Sequence, residues 1–201
     1  MAYSDIPCFL PFFLAALVAL VTRGRLRSVS MLVIIALSGL NLWLFGTNEF
    51  EIRLQLFGFE LVPYRVDRLS LLFGYIFHIA TLIAVLFALH LRDTTQHVSG
   101  LIYAGSAVGA VFAGDLLTLF IFWELLAVSS TFLVWARRSE NSYAIGMRYL
   151  IIQVLSGVVL MAGVLVYASS TGSLEFSYLG TGHLGGWLIL LAFGIKAAFP
   201  L

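Results

Sequence analysis

The sequence is poor in cysteine and in charge. It contains one cysteine, Cys8, and charged residues make up only 10% of its 201 residues. A single cysteine excludes an intrachain disulfide and a metal site built from thiolates. Because globular domains carry about a quarter charged residues, a soluble globular protein is excluded as well. The net charge of +1 provides no basic field, so nucleic-acid binding is also excluded.

Apolar residues make up 61% of the sequence and fall into long uncharged runs. Runs of about 20 such residues are long enough to cross a bilayer as α-helices. We therefore predict an all-α integral membrane protein that forms one domain, residues 1–201. Its seven transmembrane helices are predicted at 6–22, 29–46, 69–91, 98–114, 116–136, 149–169 and 184–201.

The arginines predict how these helices are oriented. Seven of the ten follow helices one, three and five, at positions 23, 25, 27, 92, 137, 138 and 148. The positive-inside rule assigns that side to the cytoplasm and the N-terminus to the outside. We expect a multi-pass protein of a prokaryotic plasma membrane.

The connection between helices two and three alternates apolar and polar residues. This pattern runs from Phe50 to Leu56, breaks at Gly58 and resumes at Phe59. A period of two predicts a short external β-hairpin, and a disordered loop is the alternative.

Three titratable side chains lie well inside predicted spans: His78, Glu124 and Lys196. A charge at the bilayer centre costs about 2.5–3.5 kcal/mol, so each is expected to face protein or water and to have a partner. At about 1.5 Å per residue, all three lie roughly 12–18 Å from the outer surface. Glu124 and Lys196 could therefore pair, directly or through water, if helices five and seven touch.

Lys196 is the only lysine in the chain. Unlike arginine, a buried lysine can lose its proton. Pro200 lies four residues further on and cannot donate a hydrogen bond to the carbonyl of residue 196, which predicts a broken helix seven. Irregular backbone at membrane depth is tolerated only inside protein or beside a wet cavity, so we expect a hydrated site.

Each of these residues also has a structural interpretation. Glu124 and Lys196 could form a static interhelical ion pair, and His78 could be a neutral, hydrogen-bonded imidazole. Gln153 and Ser156 on helix six could serve packing or a proton path. Because the sequence has no metal, nucleotide or nucleophile motif, we expect no cofactor, no metal and no redox centre of its own. Asp115, at the start of helix five, is expected to be solvated.

Several segments resemble the antiporter-like subunits of respiratory complex I and of multisubunit Mrp-type sodium/proton antiporters. They include Phe112–Leu126 (FAGDLLTLFIFWELL), Gly194–Leu201 (GIKAAFPL) and Val66–Phe73 (VDRLSLLF). Among these subunits the D type is the most similar. The resemblance covers helices three to seven and rests mainly on the Trp-Glu and Lys-Ala-Ala-x-Pro segments.

The resemblance implies roles for two residues. In that family a glutamate on the fifth helix, matched by Glu124, pairs with a lysine at the broken seventh helix, matched by Lys196, and the pair gates proton movement. The implied partners are other membrane subunits of a hetero-oligomeric assembly, with protons, sodium and lipid. Because the family continues into an eighth helix and a second, inverted half, we expect a split or truncated subunit.

The sequence therefore predicts a membrane subunit of a cation/proton antiporter or of a related redox-linked proton-pumping complex, a transporter subunit rather than an enzyme. The first alternative is a non-conducting scaffold subunit of such a complex. The second is a seven-helix retinal protein with Lys196 as its Schiff base. Retinal proteins place a carboxylate counter-ion on helix three, where this sequence has only His78.

Overall fold

The computed structural model describes residues 6–45, 50–56, 58–180 and 182–198. Within these ranges the chain forms seven helices and one two-stranded sheet. The helices are α1 (Leu10–Val21), α2 (Gly24–Phe45), α3 (Arg68–Ala88), α4 (Thr94–Phe112), α5 (Leu116–Trp135), α6 (Ser142–Thr171) and α7 (Leu184–Lys196). The mostly helical fold predicted from the apolar runs is therefore present. Helices α2, α4 and α6 begin four residues or more before their predicted starts, because the helical backbone extends beyond the apolar run into polar residues.

Not every helix is long and apolar enough to cross a membrane by itself. Among the described residues, four meet that condition: α2, α3, α5 and α6. Helices α1 and α7 have 12 and 13 residues, which at about 1.5 Å per residue is short of a ~30 Å hydrocarbon core. Seven crossings, and a first residue outside, remain predictions; residues 1–5 lie outside the described ranges.

Aspartate caps start three of the helices. Asp67 begins α3 in a capping box, in which its carboxylate accepts from the Ser70 backbone N–H and the Ser70 hydroxyl accepts from the Asp67 N–H. Asp93 and Asp115 cap α4 and α5 with one side-chain oxygen each, which accepts from the backbone N–H of Thr95 and of Thr118. Such caps satisfy backbone donors that have no partner within the helix. Helix α6 ends at Gly172, whose left-handed backbone has φ +71°.

The sheet consists of β1 (Phe50–Leu56) and β2 (Phe59–Val66), which pair in antiparallel fashion. The register joins Phe50 to Val66 and Leu56 to Phe59, so the two strands fold back on each other around Gly58, whose φ of +83° suits glycine. The alternating pattern thus identified a real sheet. Its position on the outer side of the membrane remains a prediction.

The helices pack largely in chain order, and α6 lies between α5 and α7. Helix α1 packs against both α2 and α4, which closes the N-terminal part of the bundle. One apolar core joins α1 to α4 around Phe12 and Phe112, and a second joins α5, α6 and α7 around Leu160 and Ile189. Large apolar side chains such as Phe87 remain exposed on the outer surface, as expected where helices face lipid.

Candidate functional site

Lys196 is the last residue of α7, and its side chain reaches α5. Its Nζ donates a hydrogen bond of 3.0 Å to the backbone carbonyl of Trp123 and lies 4.5 Å from the centre of the indole ring. An ammonium over an aromatic face is attracted by the ring's negative π surface. The helix ends here: the next two residues form a turn, and Ala198 has a positive φ of 54°. The lysine therefore sits where regular backbone stops, although Pro200, the predicted cause of the break, lies outside the described residues.

Glu124 is the residue after Trp123, and its carboxylate rests on α6. A Cβ built on Gly157 would lie 1.5 Å from Glu124 Oε1, so the carboxylate fills the space that any side chain at that position would need. Oε1 is buried and has no hydrogen-bond partner in the part of the chain that the structure describes. Burying a carboxylate oxygen without a hydrogen-bond donor costs free energy, so the position of Glu124 Oε1 needs a physical explanation.

Lys196 and Glu124 do not form a direct ion pair in this conformation. No Lys196 nitrogen lies within 4.0 Å of a Glu124 oxygen, since neither residue takes part in a salt bridge of the described chain. The ammonium is instead bonded one residue away along α5, at the carbonyl of Trp123. Helices α5 and α7 thus meet through their side chains, as the Trp123 and Phe193 rings, 4.7 Å apart, also show.

Ser156 joins the three helices of the site. Its hydroxyl accepts a 3.2 Å hydrogen bond from Trp123 Nε1 and donates one of 3.3 Å to the carbonyl of Ala192 on α7. The side chain is fully buried. Because its single proton and its acceptor site are both used, this serine fixes the indole that supports Lys196.

Gln153 lies one turn before Gly157 on α6 and is only 9% exposed. Its Oε1 is the second buried oxygen without a partner among the described residues. One further turn back, the Tyr149 hydroxyl lies 3.0 Å from the Ser130 hydroxyl of α5. Tyr149 and Gly157 both contact α5, and Gln153 lies between them on the same side of α6.

His78 occupies a separate polar site in the core formed by α1 to α4. Nδ1 donates to the carbonyl of Gly74 at 2.7 Å, and Nε2 lies 3.0 Å from the Ser38 hydroxyl. That hydroxyl is also 2.9 Å from the carbonyl of Cys8, so it has two acceptors for one proton. The imidazole is buried edge-on against Phe12, and its hydrogen bonds are to Gly74 and Ser38, which lie apart from the residues around Glu124.

Asp115 differs from its expected solvated state, because its side chain is completely buried. Oδ2 accepts from the Val62 backbone N–H at 2.7 Å and from the Thr118 hydroxyl at 2.6 Å. The carboxylate therefore ties β2 to the start of α5 and fixes the helix that carries Glu124. Nothing in the sequence distinguishes this aspartate from an ordinary helix cap.

Two further residues of the site, Trp123 and Gly157, were not predicted from the sequence. Trp123 precedes Glu124 in the motif, but a backbone carbonyl as the lysine's partner leaves no trace in a sequence. A glycine inside a helical run was the only sign of Gly157. Among the described residues, no group of three or more His, Cys, Asp or Glu side chains could hold a metal ion.

The fold and this site define a multi-pass membrane protein with charged side chains held between its helices. Residues 113–201 match the model of the family described as NADH:quinone oxidoreductase/Mrp antiporter, transmembrane. Subunit A1 of a Na⁺/H⁺ antiporter from Staphylococcus aureus is 28% identical over 121 residues, which is 57% of this chain and 15% of that relative. These matches confirm the resemblance predicted from Phe112–Leu126 and Gly194–Leu201. They also confirm the prediction of a multi-pass protein of a bacterial plasma membrane.

Solved structures share the fold over nearly the whole chain. A chain of the membrane-bound sulfane sulfur reductase, an archaeal respiratory membrane complex, superposes with a TM-score of 0.82 and 22% identity over 96% of this chain and 34% of that one. A chain of the Mrp complex from Dietzia sp. superposes with a TM-score of 0.80 and 18% identity, over 94% of this chain and 23% of that one. A chain of respiratory complex I from Thermus thermophilus superposes with a TM-score of 0.72 and 20% identity, over 96% of this chain and 42% of that one. At these identities the likeness concerns the fold, and the chain spans less than half of each of these proteins.

Proposed function

We propose that this chain acts in a membrane subunit of a multisubunit cation/proton antiporter, or of a related redox-linked proton-pumping complex, and contributes a proton path gated by Glu124 and Lys196. Protons, with sodium as the coupled cation, are the proposed ions. The proposed partners are other membrane subunits of a hetero-oligomeric assembly embedded in lipid. The relatives named above belong to such assemblies by their descriptions, which supports the proposal without identifying the ion or the partners.

The contact of Lys196 with Trp123 carries the proposal. The ammonium is bonded to a neutral carbonyl beside an acidic residue whose Oε1 has no partner. A charged side chain in apolar surroundings is stabilised by an opposite charge, so the Glu124 carboxylate is a competing partner for the ammonium. Lys196 thus has two places to bind, one of which depends on the protonation of Glu124. Two alternative partners for one ammonium are what a gate requires and a static pair lacks.

The remaining polar candidates divide by their contacts. Gln153 shares the α5–α6 interface with Glu124, so we propose it for the path. Ser156 has both of its hydrogen-bonding functions used by Trp123 and Ala192, which favours a supporting role. His78 is bonded within the α1–α4 core and is proposed only as a second, separate protonation site.

We further propose a single membrane domain over residues 1–201, with seven crossings, the N-terminus and the β-hairpin outside, and helix α7 broken beyond Lys196. The arginine distribution supports this orientation. The short α1 and α7 can be accommodated by local thinning of the bilayer or by neighbouring protein.

The test is proton flux in vesicles that contain the assembled complex, after assembly of each variant has been verified. We expect Glu124→Gln and Lys196→Met to reduce flux about tenfold or more, because each removes one of the two charges of the gate. Arg53→Gln, which removes a charge from the exposed hairpin salt bridges, is the matched control and should leave flux unchanged. Wild-type flux in both gate variants would favour the scaffold alternative.

A further inference from the structure

Three residues of α6 form a stripe that faces α5: Tyr149, Gln153 and Gly157. They are spaced four residues apart, so they lie on one side of the helix with a rise of about 6 Å between neighbours. Glu124 rests on Gly157, and Ser130 contacts Tyr149, so both ends of the stripe meet α5. The interface between the two helices is therefore polar at three successive levels.

The levels of Gly157 and Gln153 each contain a buried oxygen that no donor contacts within the described ranges. Glu124 Oε1 and Gln153 Oε1 are the two buried side-chain atoms that have no hydrogen-bond partner within the described ranges. Gln153 is more than nine-tenths buried, so bulk solvent does not serve its oxygen. Gln153 lies one turn of α6 before Gly157, against which the Glu124 carboxylate rests. Two acceptors match the two O–H donors of a single water, whose buried sites usually offer two to four polar partners.

We propose, on the basis of the proposed gate, that a water molecule binds between Glu124 and Gln153 and begins a hydrogen-bonded route down the α5–α6 interface to Tyr149 and Ser130. Gln153 acts as a positioning residue that orients this water, since its amide does not itself carry the proton. The proton is exchanged between the Glu124 carboxylate and water.

The lower end of the route has a fixed hydrogen-bond direction. Ser130 donates its proton to the carbonyl of Leu126 at 2.7 Å, so the Tyr149 hydroxyl donates to Ser130. The Tyr149 oxygen can then accept a hydrogen bond from a water. Tyr149 lies seven residues inside α6, about 10 Å from the α5–α6 turn where Arg137 and Arg138 are exposed. The route therefore leads to the arginine-bearing end of the bundle.

The test is the rate at which the protonated Glu124 carboxyl exchanges with D₂O, followed by infrared spectroscopy of the membrane-embedded complex. The pH is lowered until the carboxyl C=O band appears, and the band is assigned by its loss in Glu124→Gln. We expect Gln153→Met, which keeps length but removes the acceptor, to slow exchange about tenfold, the factor corresponding to about 1.4 kcal/mol. Tyr149→Phe should slow it about threefold.

Ser106→Ala is the matched control, because it removes a buried hydroxyl that donates to the carbonyl of Ile102 within α4 and lies outside the interface of α5 and α6. We expect its exchange rate to equal that of the unmodified chain, and the amide band of the same samples reports whether each variant is folded. Unchanged rates in folded Gln153→Met and Tyr149→Phe would overturn the route, even if Glu124→Gln abolishes flux. A shift of the band on adding Na⁺ at constant pH would assign the two oxygens to a cation and also overturn it. If the proposed gate is wrong, the Glu124→Gln variant will instead show normal proton flux.

Discussion

Replacing Gly157 by alanine tests whether the position of the Glu124 carboxylate matters. The added Cβ would lie 1.5 Å from Oε1, whereas real Cβ contacts are essentially never shorter than 3.0 Å, so the carboxylate must move by about 1.5 Å. All three near contacts of the added atom are to the Glu124 carboxyl group, so no backbone has to shift. The substitution is therefore a selective displacement of one side chain.

The stability and the flux of the Gly157→Ala variant should respond differently. Alanine gains about 1 kcal/mol of helix propensity, and forcing Glu124 from its rotamer costs about 0.5–1.5 kcal/mol, so the free energy of unfolding should change by less than about 1 kcal/mol. A displacement of this size at a reacting group can cost up to about a hundredfold in rate, so we expect flux to fall roughly 10- to 100-fold.

The assay combines thermal unfolding in nanodiscs with proton flux in vesicles. Gly100→Ala is the matched control: this glycine also lies in a helix, but nothing is within 4 Å of its added Cβ. The control should be as stable as the unmodified chain, or more so, with unchanged flux. Normal assembly and normal flux in Gly157→Ala would contradict the inference that Glu124 acts from its position against Gly157 on α6.

Three further outcomes are expected. Asp115→Ala should lower the free energy of unfolding by about 3 kcal/mol, because it leaves two backbone N–H groups and a hydroxyl without their acceptor. Asp93→Ala, which loses a cap with one N–H donor, should cost about 1 kcal/mol in the same chemical denaturation. Lys196→Arg should assemble but lose flux, because arginine does not release its proton; full flux would favour a static pair. His78→Leu should lower the melting temperature and leave flux unchanged, and a loss of flux in the folded variant would place the histidine on the path.

Much of the fold follows from the sequence because bilayer crossing demands long apolar runs. Within the described ranges each of the seven helices overlaps a predicted span, and the alternation from Phe50 to Leu56 identified the sheet; seven membrane crossings stay a prediction. Helix ends were less well predicted, since α6 extends through polar residues before its apolar run begins at Tyr149. Capping aspartates could be recognised, but the complete burial of Asp115 could not, because it depends on β2 packing against the start of α5.

The site was predicted only as far as single residues allow. Glu124 and Lys196 stand out as charges in apolar runs, and their similar depth suggested a pair. The actual partner of Lys196 is the Trp123 carbonyl, a backbone atom that every residue possesses. The seat of Glu124 on Gly157 likewise depends on how α5 and α6 cross, which no local pattern encodes.

The most direct test of the account is a double-mutant cycle of Glu124→Gln and Lys196→Met, read out as proton flux in vesicles with verified assembly. If the ammonium moves between the Trp123 carbonyl and the Glu124 carboxylate, each residue works only through the other. The double variant should then be no slower than the more impaired single variant. Independent effects, in which the two reductions multiply, would contradict a gate shared by the two side chains.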